Sequence, residues 1–115
     1  MSYTVYCIKL EDYRGSYCSH SSLVKLGHSV NSVEYRLQQN HLYEGVNSYL
    51  TLWGKITILG EREFSTKQEA QDYEDMIRVL DPIKDCSVAE KVKGITELRA
   101  WTQQREDLYL RHIKL

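Results

Sequence analysis

The chain has 115 residues, 42% hydrophobic and 27% charged, which suits a single globular domain over residues 1–115 and excludes a disordered, collagenous or coiled-coil chain. Its longest uncharged apolar runs are too short for a membrane helix, MSYTVYCIKL lacks an export signal, and Cys7, Cys18 and Cys86 are too sparse for a disulfide framework, so a cytoplasmic protein is expected. The formal net charge of −1 hides a gradient of +1 over residues 1–60, −4 over 61–86 and +2 over 87–115, so any phosphate-binding surface has to be assembled from scattered cations.

Tyr3 to Leu10 alternates in the strand period, with Thr4, Tyr6, Ile8 and Leu10 on one face and Tyr3, Val5 and Cys7 on the other. Glu11 to Ser22, with Gly15 and four serines, reads as a long loop. Leu23 to His28 is a short apolar run that forms the second strand of a hairpin. Asn31 or Ser32 caps a helix to about Gln39, with Val33 and Leu37 as its core pair. After a loop from Asn40 to Ser48, the β-branched and aromatic run Leu50 to Leu59 predicts a third strand, which Glu61 to Phe64 can extend.

Ser65 or Thr66 then caps a second helix, with Glu69 at capping-box spacing from Thr66. Its apolar stripe is Ala70, Tyr73, Ile77 and Leu80, and Asp81-Pro82 ends it. From Ser87 to about Arg111 a last helix is expected, carrying Val88, Val92, Ile95, Leu98, Trp101 and Leu108, with Gly94 inside it as a weak point. The order β-β-α-β-α plus a terminal helix gives an α+β fold around a small, mainly antiparallel three-stranded sheet.

Three polar residues sit on faces that should be apolar. Glu74 lies between Ala70 and Ile77 in the second helix's stripe, where a carboxylate needs a hydrogen-bonded, ionic or metal partner. Arg36 lies between Val33 and Leu37, and Lys25 between Val24 and Leu26. Taken singly, a snorkelling arginine and the solvent face of a strand account for these two. Taken together, the complementary charges are also what a site for a phosphate and a cation requires.

The constellation resembles the GIY-YIG nuclease superfamily over residues 3–80. Thr4-Val5-Tyr6 stands where the first namesake motif stands and keeps its tyrosine. Lys25-Leu26-Gly27, followed by His28, stands at the second motif in the form found in a phage and bacterial branch that reads Lys-Ile-Gly. Arg36 matches the helix arginine, and Ala70 with Glu74 matches the Ala-x-x-x-Glu signature of the later helix. Residues 87–115 form a C-terminal extension outside the resemblance.

The resemblance implies a metal-dependent DNA endonuclease in a bacterial or phage-infected cell. Glu74 would hold one Mg2+ (or Mn2+), Tyr6 would accept the proton of the attacking water, and Arg36 would bind the phosphoryl oxygens. A free phenol titrates near pH 10, so Tyr6 needs a neighbouring cation, for which Lys25 is the obvious candidate. His28 could orient water or substrate, and Tyr13, Tyr17 and Tyr43 could stack on unpaired bases.

Cutting both DNA strands with one site per chain would favour a homodimer. The rival reading is a catalytically inactive protein on the same scaffold that binds a protein partner through the acidic segment Glu61–Asp85. A zinc site from Cys7, Cys18, His20 and His28 lacks any CxxC or HxxxH spacing, and Cys7 on a strand reads as a small core residue. In the terminal helix Lys91, Lys93, Arg99, Arg105 and Arg111 could meet DNA phosphates, although packing is the expected role of that helix.

Overall fold

The alternation that begins at Tyr3 becomes strand β1 (Tyr3–Tyr13), whose two faces feed two separate cores. The computed structural model describes residues 3–30, 48–90, 92 and 94–114. β1 pairs antiparallel with β2 (Ser22–Ser29) on one side. Its other side pairs with β3 (Trp53–Phe64), with a register shift that leaves Leu59 unpaired between Cys7 and Ile8. A helical turn, α1 (Tyr49–Leu52), leads into β3, and Ser48 caps it by accepting from the Thr51 amide. The strand therefore starts at Trp53 rather than Leu50.

Helix α2 (Lys67–Leu80) starts where expected, because the Thr66 hydroxyl accepts from the Glu69 amide, and it stops at Asp81 before Pro82. The sequence expectation fails after this point. Among the described residues of 81–94 there is no helix of the expected kind. A 3-10 turn at Ile95–Glu97 leads into a short strand, β4 (Leu98–Ala100), and only then does helix α3 (Gln103–Ile113) begin, capped by Thr102. β4 pairs antiparallel with Leu23 to Lys25, so the sheet has four strands in the order β3-β1-β2-β4, not three. Gly94, at φ +79°, takes the left-handed conformation that begins the turn and that a continuous helix cannot contain.

On one face of the sheet, Tyr6, Ile8, Leu10 and Leu23 pack with Tyr49, Leu52, Trp53, Val92 and Leu98. On the other, Val5, Cys7, Val24 and Leu26 pack with Ala70 and Ile77 of α2 and with Tyr109 and Ile113 of α3. The strand period sends neighbouring β2 residues to opposite faces, so Lys25 belongs with Tyr6, and His28 belongs with α2. Among the described residues no helix is long and apolar enough to cross a membrane. The helix expected over residues 31–39, with Val33, Arg36 and Leu37, lies outside the described residues, as do Tyr43, Lys91 and Lys93.

Candidate functional site

Tyr6 and Lys25 lie two β2 positions apart in register, since Tyr6 faces Gly27 across the β1–β2 ladder. The Lys25 ammonium donates to the Tyr6 hydroxyl at 2.8 Å and lies 4.9 Å from the Tyr6 ring centre. Both side chains are fully buried, with Lys25 only 1% exposed, so Lys25 is not on a solvent face. An ammonium removed from water needs an anion, and Glu97 Oε2 stands 2.8 Å from Lys25 Nζ. Burial pushes the Lys25 ammonium towards deprotonation. The charges of Tyr6, Tyr49 and Glu97 reverse this, and the net direction is upward.

Glu74 is 2% exposed, and its position in the α2 stripe is resolved by partners on both oxygens. Arg78, one turn further along α2, donates to Oε1 at 2.6 Å, and His28 Nδ1 lies 2.5 Å from Oε2. A carboxylate can only accept, so His28 presents an Nδ1–H to it. Burial alone would raise the Glu74 carboxyl, but hydrogen bonds and charge from His28 and Arg78 hold it below its ordinary range. Glu74 is therefore ionised at neutral pH.

Tyr6 and Lys25 lie on one face of the sheet, and His28 and Glu74 on the other. They are joined around the edge of β2. β4 pairs only as far as Lys25, and past its end Arg78 reaches over the β2 edge, donating to the Leu26 carbonyl at 2.8 Å. The same guanidinium nitrogen lies 3.8 Å from Glu97 Oε1. The result is one chain of contacts: Tyr6, Lys25, Glu97, Arg78, Glu74 and His28. Four of the five candidate residues lie on it, and the fifth, Arg36, lies outside the described residues.

Comparison with family models, curated proteins and solved structures yields no match for this chain. The site is therefore read from its own chemistry. Sequence reasoning missed Arg78 and Glu97. Arg78 sits one turn after Glu74, the spacing of a helical ion pair, and Glu97 is an acid between Ile95 and Leu98 in what looked like an apolar stripe.

Tyr13 and Tyr17 fall outside this chain of contacts. Tyr13 ends β1 and donates to Glu90 Oε1 at 2.8 Å, while Tyr17 is exposed in an open cleft with His20 and Ser21. Cys7 is buried in the α2-side core, which pushes its thiol up to about 12. Arg99 is buried and donates to the Thr96 carbonyl at 2.7 Å, and Arg105 is tied to Asp81 and Asp85. Neither is a freely solvated cation of the kind expected to meet DNA.

Proposed function

We propose that the chain is a metal-dependent endonuclease that hydrolyses DNA phosphodiester bonds at the β2 edge, as its resemblance to GIY-YIG nucleases implies. The observation that supports this reading is that Lys25 and Glu74, singled out by their charge, and Tyr6 and His28, named by the resemblance, fall on one connected chain of polar contacts. In this reading Tyr6 takes the proton of the attacking water, and Lys25, hydrogen-bonded to the Tyr6 hydroxyl, holds it in place. Arg36 binds the phosphoryl oxygens, and His28 orients water or substrate.

As an ionised oxygen donor Glu74 suits a hard divalent cation, which would take the place of Arg78 or His28 on its carboxylate. Glu74 would hold Mg2+ (or Mn2+), which when bound supplies Lewis-acid stabilisation of the departing oxygen. The expected outcome is that purified protein nicks supercoiled plasmid with Mg2+ or Mn2+. Several kcal/mol of transition-state stabilisation are at stake, so Glu74→Ala should reduce nicking by about a hundredfold or more. Undiminished nicking by that variant removes Glu74 from the reaction. Paired cuts on both strands would point to a homodimer.

A second reading rests on a different observation. Both Glu74 oxygens and the Lys25 ammonium are already neutralised from within the chain, as expected of a site kept for structure while the surface binds a protein partner. Inactivity with every metal, in a folded protein that binds a defined protein, favours this alternative.

A further inference from the structure

Lys25 needs an anion, and the sheet and α1 offer it only aromatic hydroxyls and rings: Tyr6 through its hydroxyl at 2.8 Å and Tyr49 through its ring, 5.5 Å away. A hydroxyl dipole and a ring face offer partial charge, whereas a carboxylate offers a full one. Glu97, 2.8 Å away, is the carboxylate that meets it. It comes from the segment outside the nuclease resemblance, and the fold takes several steps to deliver it.

Gly94, at φ +79°, starts the 3-10 turn, which the Glu97 amide closes by donating to the Gly94 carbonyl at 2.9 Å. A Cβ at position 94 would stand 3.2 Å from Glu97 Oε2 and 3.3 Å from the Tyr49 hydroxyl, so the backbone angle favours glycine where the space is also tight. β4 then begins with Leu98, the cross-strand neighbour of Lys25, which fixes Glu97 beside the ammonium. Oε2 is buried, and its close cationic contact among the described residues is the Lys25 ammonium.

We propose that Glu97 is a positioning residue, the counter-ion that holds the buried Lys25 ammonium against the Tyr6 hydroxyl. Its consequence for turnover rests on the endonuclease reading, whereas its hold on Lys25 does not. Among the described residues, the charged and titratable groups facing Lys25 are Tyr6 from β1, Tyr49 from α1 and Glu97 from the turn, with Arg78 of α2 behind Glu97 and Glu74 behind Arg78. When Glu97 is neutral, its share of what offsets burial is gone, and Lys25 gives up its proton more readily.

The test uses the full chain with isotopically labelled lysine. The Lys25 Cε and Nζ resonances are followed by NMR across pH in the parent, Glu97→Gln and Glu97→Asp, with plasmid nicking measured over the same pH range. In Glu97→Gln, Lys25 should deprotonate at least about tenfold more readily, a shift of one pH unit or more. Nicking should fall with a displaced pH profile, and Glu97→Asp should restore part of both.

A Lys25 titration that is unmoved in folded Glu97→Gln overturns the proposal, even if nicking is lost. If Glu97→Gln does not fold, the doubly neutral Lys25→Met/Glu97→Gln variant should fold, because it leaves neither partner charged and alone. Failure of that variant too assigns Glu97 to the turn rather than to Lys25 and overturns the proposal. A parent that nicks nothing, while Glu97→Gln still shifts Lys25, ends the endonuclease reading and supports the Glu97 assignment.

Discussion

A methyl group at position 27 would stand 2.6 Å from Lys25 Nζ and 2.8 Å from the Tyr6 hydroxyl. The glycine of the second motif is therefore required by side-chain space, since its backbone lies in an ordinary strand. Lys25 is flexible in principle, but here its ammonium is fixed between Tyr6 and Glu97 and cannot step aside without losing one of them. Gly27→Ala should cost about 1–3 kcal/mol in urea unfolding, the range for overpacking a filled core. A change within about 0.5 kcal/mol, as at an unconstrained surface position, would show that the pair can move. Glu74 was legible from sequence because a carboxylate inside an apolar helical stripe needs a reason to be there. Lys25 was also singled out, but its burial was not legible, because alternation assigns it only to one face of β2 and says nothing about what covers that face.

The cover comes from elements whose spacing misleads. Ile95, Leu98 and Trp101 recur every three residues, which a helix would share, but here the first belongs to a 3-10 turn, the second to β4, and the third immediately precedes the cap of α3. A three-residue strand has too few alternations to be seen in sequence, and its pairing with Leu23 to Lys25 is a long-range contact that no local pattern encodes. The caps at Thr66 and Thr102 are local hydrogen bonds; the first was read correctly, while the second was hidden inside the overlong helix.

What holds α3 in place is also long-range. Arg105 donates to Asp81 through two nitrogens at 2.7 and 3.0 Å, to Asp85, and to the Ala100 carbonyl at 2.6 Å, while the Tyr109 hydroxyl donates to Asp81. One guanidinium thereby joins the end of α2, the loop after it, β4 and α3. Arg105→Ala leaves two acids without their partner and should cost about 2–4 kcal/mol in chemical unfolding. The Lys25 resonances should stay near their parent positions, because the clamp lies outside the contact chain that runs from Tyr6 to His28. Large movement of those resonances would mean that the clamp and the site form one cooperative unit.

Across the whole molecule, α2 has two contrasting sides. Glu74, Ala70 and Ile77 face the sheet, while Met76, Val79 and Leu80 are exposed, centred roughly 200° around the helix from Glu74 at 100° per residue. The site is thus walled off from α2's outer apolar surface, and carboxylates secure three joints between elements. Glu74 ties α2 to β2, Asp85 ties the following loop to β4 and α3, and Glu90 ties the next segment to Tyr13 and Ser16 near the β1–β2 turn. All three are held below their ordinary values, net of a burial effect that opposes this, by the hydrogen bonds and charges they receive.

A carboxyl lowered by folding contributes stability that is fully present above its unfolded value, 4.5 for Glu and 3.8 for Asp, and is lost as pH falls through the folded value. The unfolded chain binds more protons across that window, so the parent should lose stability steadily from about pH 5 towards pH 3. Glu74→Gln removes one of the three contributions and leaves Arg78 and His28 without their anion. In urea titrations at several pH values it should be less stable than the parent at pH 6, and the two curves should converge in acid, where Glu74 itself becomes neutral. Parallel curves from pH 6 to pH 3 would mean that the Glu74 carboxyl is not stabilised by folding, and that the ion pairs around it do not bind its charge.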